Sequence, residues 1–452
     1  MTDSTTVLAP SEKKIFGHPA GLFVLFFTEL WERFSYYGMR ALFTIFLVAK
    51  TTSDNPGFGW SNTDAIWLYG WYTMLVYLAS VPGGWIADNL LGQKKTVMLG
   101  GILLCIGHTI LAFDTEVSFY VGCAFVILGV GGLKPNISSM VGGLYKIGDE
   151  KRDIGFYIFY MGINIGGFLA PLLCGWIGET YNWHYGFGLA AIGMFFGQIT
   201  YYYGQKYLVG IGDFIGKADH PENKLRKKFL TPIERDRVKV LLISFLMIII
   251  FWGAFEQAGG LMNLYAKQNT NRIFMGWEVP ASWFQSLNSF FIITLAVFVG
   301  GFWFKWKMKG REASSLFKIA IGILIMGWGF LFMRFAASEY EMLGQSSMHW
   351  LFLAYLFHTI GELCSSPVSL SFITKLAPPK YAASIMGLYW AATGLGNKLA
   401  ATIGGHAAVT GEKTTFTGIF IFCTIFASLI VLILKPLKRL THGAEDVIQN
   451  PV

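Results

Sequence analysis

Glu29-Leu30-Trp31-Glu32-Arg33-Phe34-Ser35-Tyr36-Tyr37-Gly38 lies inside an apolar run from about Gly21 to Ala49. A run of that length crosses a bilayer. It carries two carboxylates and a guanidinium near mid-depth, where each charge costs at least ~2.5 to 3.5 kcal/mol on the most lenient insertion scale. On a helix, Glu29 and Arg33 stand four residues apart with the acid N-terminal, and Glu32 follows Glu29 by three, so all three are expected on one face. That face is predicted to look into a helix bundle. A salt bridge that merely pins the bundle is one reading; intramembrane ionisable residues favour a functional one. Two acids and one base leave a carboxylate in excess. Such a group is a natural proton carrier, because burial and a movable cation act on its charged form in opposite senses.

The wider composition agrees with a chain built for lipid. Of 452 residues, 54% are hydrophobic, 17% aromatic and only 14% charged, which excludes an ordinary soluble enzyme and predicts an all-α polytopic membrane protein. Cys105, Cys123, Cys174, Cys364 and Cys423 sit singly in apolar segments without metal-ligand spacing, so packing is their expected role. Residues 1–20 show no cleavage pattern, so the first apolar run is expected to be retained.

Apolar segments fall near 21–49, 60–87, 96–113, 117–145, 153–178 and 185–205, and again near 238–265, 281–304, 313–336, 348–376, 380–405 and 414–435. This predicts 12 transmembrane helices in two six-helix halves: 1–205, then a cytoplasmic linker 206–237, then 238–440, with a cytoplasmic tail 441–452. The linker is too short and too charged for a further pair of helices. Most of the 35 Lys and Arg fall in loops on the terminal side, whereas Lys50, Lys267, Arg272 and Lys413 fall on the other. Both termini are therefore expected in the cytoplasm. The same rule accounts for the basic tract Lys224 to Lys239 and the net charge of +8 without nucleic acid.

Gly84-Trp85-Ile86-Ala87-Asp88-Asn89-Leu90-Leu91-Gly92-Gln93-Lys94-Lys95, after the second segment, resembles the loop motif of the major facilitator superfamily. The matching place in the second half, Gly301 to Arg311, keeps glycines and bases but lacks the acid. That resemblance implies a substrate held near the midplane between two rocking halves, with Asp88, Lys94 and Lys95 belonging to the cytoplasmic hinge.

A more specific resemblance follows. Glu29-x-x-Glu32-Arg33-Phe34-x-Tyr36-Tyr37-Gly38 is similar to the ExxERFxYYG signature of the proton-dependent oligopeptide transporter family, and Phe159 to Gly166 resembles its second signature. Gly131 to Asn136, Phe251 to Gln257, Phe284 to Asn288 and Gly361 to Pro367 extend the likeness, which runs from about residue 18 to 440. It implies a proton-coupled symporter of the inner cell membrane, importing di- and tripeptides by alternating access without a cofactor. Relatives with a protonated histidine on the second helix differ from this chain, which has none between residues 60 and 87, so carboxylates are the expected proton acceptors. His358, four residues before Glu362, is expected as a hydrogen-bonded core histidine.

A short zwitterionic peptide presents an ammonium, a carboxylate and an amide spacer, so a selective cavity needs cations, an acid and amide-capable groups. Arg33 and Lys134 suit the carboxylate, Glu362 the ammonium, and Asn164 and Asn288 the amino end or backbone, which are also the roles the resemblance implies. Ser366 belongs to the same set by resemblance. Tyr36, Tyr37, Tyr77, Trp283, Tyr389 and Trp390 are candidates for adaptable pocket walls, with interfacial or packing roles as the alternative. Glu29, Glu32, Arg33 and Lys134, joined by Glu256 from the other half, are expected to couple protons to substrate: ionised acids hold the cations, and protonation frees a cation for the peptide carboxylate. Other readings are transport of another small anion or zwitterion such as nitrate, a channel, or a membrane-embedded enzyme. The chain has no metal-binding His pair, nucleophile elbow or phosphate loop.

Overall fold

The computed structural model describes residues 13–146, 149, 151–214, 230–378 and 381–444, apart from the side chains of residues 153 and 382–384. The middle of the expected linker (215–229), with Lys224, and the end of the expected tail (445–452) lie outside the described residues.

Helices account for most of the described residues. They are α1 (Ala20–Val48), α2 (Asn62–Leu78), α3 (Ser80–Ile86), α4 (Gln93–Leu111), α5 (Glu116–Gly143), α6 (Lys151–Ala170), α7 (Trp176–Thr180) and α8 (Trp183–Gly204), then α9 (Pro232–Phe255), α10 (Leu261–Gln268), α11 (Ser286–Met308), α12 (Ser315–Leu343), α13 (Met348–Leu376), α14 (Ala382–Thr410), α15 (Glu412–Leu432) and α16 (Leu434–Leu440). Grouped end to end, the long ones follow the twelve apolar segments, and the interruptions have local causes. Pro82 has no N–H for the Leu78 carbonyl, and the chain turns at Ala79 between α2 and α3. Pro171 opens a π-helical turn, Pro171–Gly175, between α6 and α7. Gly259 and Gly260 separate α10 from the 3-10 turn Glu256–Ala258 that ends α9. Pro367 leaves α13 continuous.

α9 begins at Pro232, earlier than its apolar run, because Thr231 and Glu234 form a capping box: Glu234 N donates to Thr231 Oγ1 (3.2 Å) and Thr231 N to Glu234 Oε2 (2.7 Å). By length and composition alone, seven of the described helical segments are apolar enough to cross a membrane. Large side chains such as Leu128, Phe195, Val297, Phe298 and Ile425 are exposed, as a lipid-facing surface requires.

The helices form two compact units. One takes in the described chain up to Phe43 and resumes at Leu75 as far as the central segment; the other holds Thr44–Met74 and the described residues beyond that segment. α1 and α2 are thus each divided between units. In the first unit α4 packs against α5 and α8. Gly100 and Gly107 of α4 face Gly129 and Gly122 of α5, where any side chain would run into the opposite backbone. Close approach of this kind replaces the hydrophobic drive that is missing in lipid. In the second unit α12 packs against α13 and α15, with Gly322 and Gly361 in the same relation, and α9 packs against α14.

Candidate functional site

Within the first unit, α1 carries Glu29, Arg33, Tyr37 and Arg40 at successive turns of one stripe. Glu29, Glu32 and Arg33 are 2%, 0% and 4% exposed. The guanidinium does not divide its contacts as the four-residue spacing suggested. Its fork goes to the adjacent residue: Nη2 donates to Glu32 Oε1 at 2.6 Å and Nε to Glu32 Oε2, while Glu29 Oε1 lies 3.2 Å from Nε. Adjacent side chains diverge by about 100° on a helix, but the length of both lets the planar fork close on a carboxylate. Glu29 Oε2 has no hydrogen-bond partner among the described residues. Lys134 lies within electrostatic reach of that carboxyl.

Each cation also rests on aromatic rings. The Arg33 guanidinium stands 5.2 Å from the Tyr36 ring centre and 5.9 Å from that of Tyr37, Arg40 lies 5.6 Å from Tyr37, and Lys134 Nζ lies 4.0 Å from Tyr77. Rings in these positions stabilise a desolvated cation without neutralising it. Asn164 donates to the Tyr160 carbonyl of its own helix at 2.9 Å.

In the second unit Asn288 of α11 donates through Nδ2 to Glu362 Oε2 of α13 (2.7 Å) and to Thr359 Oγ1 (3.1 Å). Glu362 and Ser366 are half-buried, one turn apart on α13. Tyr389 is buried and meets Trp390 edge to face at 5.0 Å. Trp283 lies in the 3-10 turn Ala281–Gln285 against Trp277, 5.1 Å away, in the short antiparallel hairpin that pairs Ile273–Phe274 with Trp277–Glu278. Glu256 is buried at the end of α9 and accepts from the Tyr69 hydroxyl at 2.5 Å. Tyr69 was not a sequence candidate, because a contact between residues so far apart leaves no local pattern. Lys134 and Glu256 belong to different units.

Asp88 is exposed in a π-helical turn, Ala87–Leu91, and Lys95 is exposed, while Lys94 Nζ lies 4.0 Å from Asp213 Oδ1. Gly92 makes this corner with φ +80°, where a side chain is strained and a Cβ would press on the Phe214 backbone. His358 departs from expectation. It is buried, but neither ring nitrogen has a hydrogen-bond partner among the described residues, and the ring packs 4.5 Å from that of Phe330. The five cysteines are buried and free.

The model of the family described as PTR2, the POT family, matches residues 94–213 and 222–417. The chain is 35% identical to the peptide transporter YePEPT of Yersinia enterocolitica, over 98% of this chain and 99% of that one. It is 34% identical to a di-/tripeptide transporter of Lactococcus lactis, over 96% and 98%. A crystal structure of a peptide transporter POT in complex with sulfate superposes with a TM-score of 0.89 at 33% identity, covering 96% of this chain and 98% of that one. With a family model that covers most of its length and relatives that match it end to end, this chain belongs to the POT family and is a multi-pass membrane protein of the major facilitator fold.

Proposed function

We propose that this protein is a proton-coupled symporter that imports di- and tripeptides by alternating access, needs no cofactor, and sits in the inner cell membrane with both termini in the cytoplasm. The observation that carries the reading is a chemical match to the two ends of a zwitterion. One unit holds a buried Arg33 and a half-buried Lys134 against tyrosine rings. The other holds Glu362 on the Asn288 amide. The first set suits a peptide carboxylate and the second an ammonium. A plain anion such as nitrate has no use for Glu362, and the named relatives favour peptides.

Protons enter through the acids that occupy Arg33. While Glu32 and Glu29 are ionised, the fork of Arg33 is engaged; protonation releases it to the peptide carboxylate. Proton and peptide then each favour binding of the other, and this coupling is reciprocal. Uptake of labelled dialanine into proteoliposomes under an imposed pH gradient tests the proposal. Accumulation above equilibrium, abolished by collapsing the gradient and competed by tripeptides, is the expected result. Hydrolysed product, or ion leak without accumulation, would replace the symporter with an enzyme or a channel.

A further inference from the structure

Lys398 lies roughly midway along α14 (Ala382–Thr410), ~20 Å from either end at the rise of an α-helix. Nothing in the site described above uses it. Its Nζ is buried and has no hydrogen-bond partner among the described residues. It stands 3.8 Å from the ring centre of Trp67 and 4.5 Å from that of Trp71 on α2, and the two rings meet edge to face at 5.7 Å. The tryptophans are themselves 51% and 38% exposed, so they form a cap over the amine on the outer surface of the unit. A cation at this depth is costly and persists where something compensates it; here two indole faces do.

The cap closes a tight seam. Gly70, between the two tryptophans, lies against Ala401 and the Lys398 stem, and Thr63 Oγ1 donates to the Gly405 carbonyl at 3.0 Å. On the other side of α2, Tyr69 holds Glu256. Thr44 donates to the Gly259 carbonyl (3.2 Å) and accepts from Asn263 (3.1 Å). The segment Thr44–Met74 is thereby fastened at several points to α9, α10 and α14, although α1 and α2 continue into the first unit. Any rearrangement that parts this segment from α14 must pull two indoles off an ammonium and leave it bare in hydrocarbon.

We propose that Lys398, with Trp67 and Trp71, is a cation–π latch that sets how readily α2 separates from α14, and that Lys398 is a positioning residue for transport rather than a ligand of substrate. The inference rests on the symporter reading only for its effect on uptake. Its first test uses no peptide, so failure of one is distinguishable from failure of the other.

Spin labels on Asp64→Cys and Val409→Cys, both exposed sites on the two helices, report the separation by pulsed EPR in the full chain in proteoliposomes. Lys398→Met is expected to raise the ratio of parted to closed states about tenfold, and Lys398→Arg to restore it. The pair Trp67→Leu and Trp71→Leu gives the same shift, and adding Lys398→Met to that pair adds nothing further. In uptake, these variants change kcat several-fold while KM for dialanine stays within twofold. An unchanged distance distribution in Lys398→Met, no rescue by arginine, or additive effects of the lysine and tryptophan changes would overturn the latch. Should Lys398→Met fail to fold, the tryptophan pair carries the same expectation and the same refutation.

Discussion

In the first unit two buried acids share one guanidinium within a single helix, and Arg33 and Lys134 lie on tyrosine rings; in the second, Glu362 accepts from the Asn288 amide and Glu256 from the Tyr69 hydroxyl. The difference lies in what must be given up to change partner. Breaking a buried ion pair by removing one member costs ~3 to 5 kcal/mol, whereas a hydrogen bond from a neutral donor is worth ~1 to 3 kcal/mol net, most when its acceptor is charged. On the proposed reading the first arrangement resists a new ligand until a proton removes one charge. On the same proposed reading the second holds Glu362 in place yet leaves it able to take up an arriving ammonium.

Glu32→Gln breaks this contrast most severely. It removes one charge from the fork of Arg33 for good, so gradient-driven dialanine accumulation is expected to fall at least ~100-fold, consistent with loss of a buried pair, while peptide counterflow persists. Accumulation at the parent level would refute the coupling scheme. Glu362→Gln keeps the shape of the second site but removes its charge. A rise in KM for dialanine of ~10-fold is expected, the worth of a charge-assisted hydrogen bond, and discrimination against N-acetyl-dialanine should vanish with it. An unchanged ratio of the two KM values would remove Glu362 from ammonium recognition.

Tyr69→Phe sharpens the comparison with a smaller effect. Glu256 loses a neutral donor only, so a loss of ~1 kcal/mol in thermal stability is expected, read by a thermal-shift assay in detergent. A drop of ~3 to 5 kcal/mol, the cost of breaking a buried ion pair, would mean that the two units are not compensated differently.

The smallest effect belongs to a carboxylate outside the membrane. Burial alone would raise the Glu312 carboxyl, but hydrogen bonds from Lys438 (2.7 Å) and Ser314 (2.8 Å) outweigh it and hold it down at about 2, against an ordinary value of 4.5. A group lowered on folding stabilises above its unfolded value and loses that contribution as pH falls through the folded one. Stability from this contact is thus full above about 4.5 and fades between there and 2. Lys438→Met should flatten the acid limb of the melting profile by a small amount, since both side chains are more than a third exposed. An acid limb that keeps its slope in the variant would sever that link.

Much of this molecule is written in local chemistry. Runs of apolar residues long enough to span a bilayer give the helix count because hydrocarbon forces the backbone to satisfy itself within each segment. Glu29, Glu32 and Arg33 announce a site because charges so costly in lipid are seldom kept there without a use. Helix ends needed finer cues: Thr231 and Glu234 start α9 inside a stretch that hydropathy assigned to a linker. Partner choice was beyond the sequence. That the fork of Arg33 closes on its neighbour, that Tyr69 serves Glu256, that His358 packs as a bare ring and that Lys398 hides beneath two tryptophans are decided by which helix faces meet in space. Periodicity fixes which face a residue occupies, but only the packing of one helix on another chooses what that face touches.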